Sequence, residues 1–213
     1  MLSLQTVRLK TILCLGCHAD DIEIGCGGTL LRLLQEHSGL EVWWVVLSGE
    51  PDRAEEAERS AAAWLVEAGQ RQVICGDFRD RYFPAQWGPI KDFVHDIATK
   101  FDPDLIFTQR RDDAHQDHRV LGELTWNAFR NHLIWEYEIP KYDGDLGRPN
   151  VFVALDESIC QQKVELIQDN FRSQQSKPWF TPDVFWAVLR LRGLECNSPS
   201  RFAEGFYSRK SLI

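Results

Sequence analysis

The chain has 213 residues, 44% hydrophobic and 11% aromatic, which suffices for a buried core without disulfide or metal staples and excludes intrinsic disorder. Lys and Arg total 24 against 32 Asp and Glu, a net charge of −8 that offers a polyanion no long-range attraction, so no nucleic-acid partner is expected. At roughly 150 residues per domain, one domain over residues 1–213 is predicted, with no internal repeat or low-complexity linker to divide it.

Near the start, Arg8 and Lys10 precede only seven largely apolar residues, too few for the apolar region of a secretory leader. The longest uninterrupted apolar run, 42–47, falls far short of the ~18 residues of a membrane span, so no integral membrane segment is expected. Six scattered cysteines (Cys14, Cys17, Cys26, Cys75, Cys160, Cys196) fit reduced thiols in a cytoplasm. Cys14 and Cys17 form a CxxC but lie in one apolar run, ~10 Å apart and on alternating faces, and should not pair.

Four short apolar runs, 11–17, 41–47, 72–75 and 104–108, read as strands. Each is followed by a polar loop and a helix-patterned stretch, at 27–37, 53–67, 88–100 and 117–130. The second helix is the clearest, because Ala57, Ala61, Trp64, Leu65 and Ala68 recur at helical spacing and Gly69 supplies a stop. Continuous apolar runs suit buried parallel strands, and their alternation with helices predicts βαβ units around a mostly parallel sheet. After Ile139 come a Pro-, Gly- and charge-rich loop at 140–149, a strand at 150–155, a helix at 157–171, an aromatic loop at 177–182 and a last helix at 184–194.

His18, Asp20 and Asp21 follow the first strand directly, and Asp113, His115, Asp117 and His118 follow the fourth. Both clusters therefore fall at the carboxyl edge of the sheet, where open parallel sheets bind ligands. An exposed polar loop would explain the first alone, and helix-capping histidines the second. Together they point to a shared cation, because imidazoles and carboxylates are costly to bury unpaired. Catalytic zinc takes three protein ligands and leaves a position for water, and a first-loop residue with histidines of the second loop supplies such a set. His115 and His118 are three apart and can share one side of a helical turn, while Asp117 can orient an imidazole.

The stretch from His18 through Asp20, Asp21, Gly25, Gly27 and Gly28 to Thr29 closely resembles the first signature of the PIG-L/LmbE-like zinc-dependent de-N-acetylases, and Asp113 to Arg119 resembles their second. The resemblance implies a Rossmann-like α/β fold, zinc as cofactor, and hydrolysis of the acetyl group of an N-acetylglucosamine-like amino sugar or sugar conjugate. It makes His18, Asp21 and His118 the metal ligands, Asp20 the general base, His115 the oxyanion stabiliser and Asp117 the residue orienting it. Ala19 and Gln116 stand where the family often has proline, and the acidic residue after the Asp pair is shifted to Glu23; none of these is a ligand position. Arg53 and Asp80 match family positions near the pocket and are substrate-binding candidates.

The chemistry suits these roles. Amide hydrolysis needs an activated water, a polarised carbonyl and a proton for the departing amine. A carboxylate beside the metal but not bound to it can move that proton, and an imidazolium at His115 would offset the oxyanion. Gly25, Gly27 and Gly28 do not complete GxGxxG and do not suggest a dinucleotide. Trp43, Trp44 and Trp64 have core spacing, whereas Trp135, Tyr142 and Trp179, in or beside the late loops, are candidates to face a sugar. Ala203 to Phe206 resembles a C-terminal family segment near the site. Two alternatives remain open: a metal-dependent amidase or esterase on another acylated metabolite, and a metal- or ligand-binding module without turnover. Asp20, which holding a metal does not require, argues against the second. The expected partner is a small-molecule N-acetyl sugar or conjugate, with a homo-oligomer left open.

Overall fold

Strand β1 (Thr11–Gly16) is apolar from end to end and almost wholly buried, as a strand flanked on both edges and covered on both faces must be. In the computed structural model, which describes residues 9–49 and 51–211, it lies near the middle of a seven-stranded sheet. The Arg8 flank of the leader argument lies outside the described residues. After β1 come α1 (Asp21–Glu36), β2 (Glu41–Ser48), α2 (Pro51–Trp64), β3 (Gln70–Phe78), α3 (Trp87–Lys100), β4 (Leu105–Gln109) and α4 (Gln116–Ala128). The chain then forms β5 (Leu133–Tyr137), β6 (Val151–Leu155), α5 (Glu157–Asn170), α6 (Pro182–Glu195) and β7 (Phe202–Tyr207).

The strand order is β3-β2-β1-β4-β5-β7-β6. The first five strands are parallel, and β7 runs antiparallel between β5 and β6. This is the expected mostly parallel α/β sheet with helices on both faces. Successive residues of β1 feed opposite layers: Ile12 and Cys14 join the core under α1, α2 and α5, while Leu13 and Leu15 join the core under α3 and α4. Between β1 and β4 the connections leave in opposite directions, which opens a crevice at their carboxyl ends.

The structure differs from the sequence reading at helices α1 and α2 and at strands β5 and β7. Helix α1 starts at Asp21, six residues before the predicted start, so its glycines lie within the helix. A side chain at Gly25 would overlap the Tyr137 ring and one at Gly27 would overlap Trp64, so these glycines let α1 approach the sheet and α2 closely. Helix α2 ends at Trp64, with a turn before Gly69. Strands β5 and β7 were not predicted; β7 carries Glu204, whose carboxylate accepts hydrogen bonds from the α1 backbone at Gly28 (2.8 Å) and Thr29 (2.7 Å). The Lys163 ammonium meets the same carboxylate at 2.5 Å and binds Ile24 O at 2.7 Å, so the C-terminal strand fixes the helix that carries the Asp pair.

The tryptophan expectations divide. Trp44 and Trp64 are buried core, and Trp43 stacks on Phe101 at 4.5 Å. Trp135 is corrected from a sugar-facing candidate to a core-packed residue, because β5 turns it onto Phe107 and Phe206. Trp179 packs on Phe180, while Tyr142, in the 140–149 loop, is 74% exposed. All six cysteines are free, as expected, and no helix among the described residues is long and apolar enough to cross a membrane.

Candidate metal centre

The β1–α1 connection is too short to move far from the sheet, so His18 and Asp21 are held where β1 ends. The Asp21 carboxylate accepts the His18 backbone N–H at 2.8 Å and lies 3.3 Å from His18 Nδ1 through the same oxygen. From the end of β4, α4 brings His118 Nε2 to 3.4 Å from Asp21 Oδ1 and 3.3 Å from His18 Nδ1. A tetrahedral ion with bonds of about 2.0–2.1 Å keeps its ligand atoms about 3.3–3.4 Å apart, the spacing of the two imidazole nitrogens from each other and of each from its nearer Asp21 oxygen, Oδ2 for His18 and Oδ1 for His118.

Electrostatics give the triangle a second qualification. Burial opposes protonation of His18, yet Asp21, Asp117 and Asp80 outweigh it and raise its pKa well above the ordinary imidazole value. Burial likewise opposes the charge on His118, but Asp21 and Asp113 raise its pKa. Asp21, itself pushed upward by burial, is driven well below the carboxylate range by the two imidazoles. A field that attracts extra protons to two buried imidazoles also favours a divalent cation in their place.

Asp113, which the sequence reading quoted within the second cluster without a role, approaches His118 from the other side. Its Oδ2 is 3.2 Å from His118 Nδ1, and its Oδ1 accepts the His115 backbone N–H at 2.8 Å. Burial raises its pKa, but His118 and Lys141 prevail and bring it down to about 2.

His115 caps α4, its Nδ1 accepting the Asp117 backbone N–H at 3.3 Å, which leaves the ring proton on Nε2. Its ring centroid lies 4.6 Å from that of His118 and 5.1 Å from that of His18. Burial, then the charges of His118 and His18, lower its pKa, which works against the expected imidazolium.

Asp117, expected to orient His115, reaches that ring through its backbone N–H at 3.3 Å. Its buried carboxylate accepts the backbone N–H of Arg81 (2.6 Å) and Phe83 (3.1 Å) and stands 3.4 Å from His18 Nε2, so it braces His18, and only its backbone reaches the His115 ring. Arg81 adopts a left-handed backbone (φ 65°) that aims this N–H inward, a costly conformation kept beside the site. Asp80, expected to bind substrate, lies 2.9 Å from His18 Nε2. Two sets of ligand atoms lie within 4.8 Å of one another, His18 with His115 and His118, and His18 with Asp80 and Asp117, so His18 is the hinge of the cluster.

Asp20 lies outside the triangle. It occupies the N-cap position of α1 without a capping bond, and its Oδ1 meets Arg53 Nη2 at 3.1 Å. Arg53 in turn binds Glu56 (2.6 Å) and Ser173 Oγ (3.0 Å) and lies over Phe171. The i, i+3 spacing of Arg53 and Glu56 was visible in the sequence; Ser173, 120 residues from Arg53, was not. Glu23 is fully buried and accepts a hydrogen bond from the Ser60 hydroxyl at 2.5 Å, and burial raises its pKa despite that bond.

The profile of the family described as "PIG-L: GlcNAc-PI de-N-acetylase" matches residues 13–129, which include both clusters. A protein of Escherichia coli (strain K12) named "Uncharacterized deacetylase YaiS" is 32% identical over 174 residues, covering 76% of this chain and 90% of that protein. The 1D-myo-inositol 2-acetamido-2-deoxy-alpha-D-glucopyranoside deacetylase of Rhodococcus erythropolis (strain PR4 / NBRC 100887) is 24% identical over 201 residues, 90% of this chain and 65% of its own length. Among solved structures, the N,N'-diacetylchitobiose deacetylase of Pyrococcus horikoshii superposes with a TM-score of 0.71 at 22% identity, over 94% of this chain and 84% of that one, a likeness of fold.

Proposed function

Because the chain belongs to the PIG-L family of deacetylase hydrolases, we propose that it removes the acetyl group from an N-acetylated amino sugar or sugar conjugate of the N-acetylglucosamine type, with zinc as its metal. The observation that carries this reading is the 3.3–3.4 Å triangle of His18, Asp21 and His118 with a second carboxylate, Asp20, beside it and held off by Arg53. The substrate class draws on the family description and on the Rhodococcus relative, an amino-sugar conjugate deacetylase. We read residues 1–213 as one catalytic domain, and the six free thiols suit a reducing cytoplasm.

His18, Asp21 and His118 would hold the ion, which supplies a polarised carbonyl and a more acidic water. Asp20 takes the proton of the attacking water and delivers it to the departing nitrogen, and Arg53 fixes the carboxylate for both transfers. His115 donates from Nε2 to the oxyanion of the tetrahedral intermediate, its tautomer set by the α4 cap. Asp80 and Asp117 brace His18 from its Nε2 side, and Arg53 keeps donors for a substrate hydroxyl or phosphate.

Acetate release from a panel of N-acetyl sugars, N-acetyl amino acids and simple esters, with and without chelator, tests the reading. N-acetylglucosamine-like sugars should react fastest and chelation should abolish release. A faster reaction with acetylated amino acids or esters would favour the amidase or esterase alternative, and metal binding without release from any of them would favour the inactive module.

A further inference from the structure

The Lys141 ammonium is nearly buried at the base of the 140–149 loop, and its three donors have three acceptors: Asp145 Oδ1 at 2.6 Å, Asp113 Oδ2 at 3.0 Å and Ile139 O at 3.4 Å. The middle contact matters most, because the same Asp113 oxygen lies 3.2 Å from His118 Nδ1. A continuous line therefore runs from Lys141 through Asp113 to His118. The Asp145 carboxylate closes the arrangement by accepting the Ala114 backbone N–H at 2.7 Å, which docks the loop onto the segment that carries both histidines.

Asp113 is 1% exposed, and its carboxylate has no other cationic side chain beside it than Lys141 and the His118 ring among the described residues. Left without the ammonium, the buried carboxylate loses the partner that fixes it against the His118 ring, 3.2 Å from Nδ1. The partner of a ligand's second ring nitrogen sets the orientation and basicity of the ligand.

We propose that Lys141 is a positioning residue for the metal: acting through Asp113, it holds His118 in its ligating orientation and so links the base of the 140–149 loop to metal affinity. This rests on the metal reading of the His18, Asp21 and His118 cluster. Lys141 need touch neither ion nor substrate, and its effect belongs in the affinity for zinc rather than in the chemical step alone.

Zinc affinity of the metal-free full chain, measured by competition with a chromophoric chelator, tests the proposal without reference to turnover. Lys141→Met should weaken zinc about 10-fold, at the low end of the 10–100-fold cost of losing a ligand's outer partner, and Lys141→Arg should recover most of it. Asp113→Asn should lose at least as much, and adding Lys141→Met to it should cost less than about twofold more, because the two act along one line. Lys141→Gln provides the same comparison if the methionine variant does not fold. Zinc binding within about twofold of wild type in a folded Lys141→Met or Lys141→Gln chain, or a full additional loss in the Asp113→Asn background, overturns the proposal. A wild type that binds no zinc overturns the metal reading with it, whereas failure to deacetylate sugars with this affinity pattern intact sinks only the substrate assignment.

Discussion

Asp20 and Asp21 are adjacent in the chain, yet they face opposite surroundings. Asp21 lies between two imidazoles, one of which, His118, is backed by Asp113 and Lys141. Asp20 meets a guanidinium already committed to Glu56 and Ser173. In the first bay the positive partners are exchangeable protons, which a metal can displace; in the second the cation is covalently part of the chain, so the carboxylate stays off the metal and free to carry a proton. Consecutive residues at the start of a helix point in different directions, which would let one Asp pair divide into the proposed ligand and base.

The comparison can be broken most severely on the Asp21 side. Asp21→Ala and His118→Ala should each leave the purified chain without stoichiometric zinc and reduce acetate release to background, as elemental analysis and an activity assay would report. His115→Ala should keep its zinc and slow turnover by roughly 10²–10³-fold, the cost of one oxyanion donor. Arg53→Met should also keep its zinc and slow turnover by on the order of 10-fold, below the 10²-fold that a 1 Å misplacement can cost, because Asp20 stays anchored on α1. Loss of zinc in Arg53→Met would mean that the two bays are not separate.

A smaller effect sharpens the same contrast through pH. The Asp113 pKa is about 2 in the folded chain against an ordinary 3.8, so its contribution to stability is present above the unfolded value and is lost as pH falls through the folded one. That contribution is about 2 kcal/mol. In denaturant titrations of metal-free protein, the advantage of wild type over Asp113→Asn should shrink by this amount between pH 5 and pH 2. A difference independent of pH would mean that the Asp113 charge is not what braces His118.

Both clusters were legible because each follows an apolar strand at once, and a parallel sheet carries such loops to one edge. The meeting of His18, Asp21 and His118 follows from that rule with little tertiary detail. What escaped lies in contacts between distant segments. Asp80 reaches His18 from the end of β3, and Lys141 reaches Asp113 from a loop read only as polar. The cap contact between Asp117 and His115 was not legible, because spacing alone does not reveal which group caps a helix. The early start of α1 was not legible because the reason for its glycines, the Tyr137 and Trp64 rings, lies elsewhere in the chain. Strand β7 was hidden by a buried glutamate whose partners are backbone groups of α1.

The most direct test of the division between the two carboxylates is the zinc content of Asp20→Asn and Asp21→Asn, purified side by side and assayed for acetate release. Asp20→Asn should retain about one zinc per chain, as a site with its three ligands intact does, and slow turnover by roughly 10²–10⁴-fold. Asp21→Asn should lose the metal and the activity together. Loss of zinc from Asp20→Asn, with zinc and near-full turnover retained by Asp21→Asn, would contradict the account.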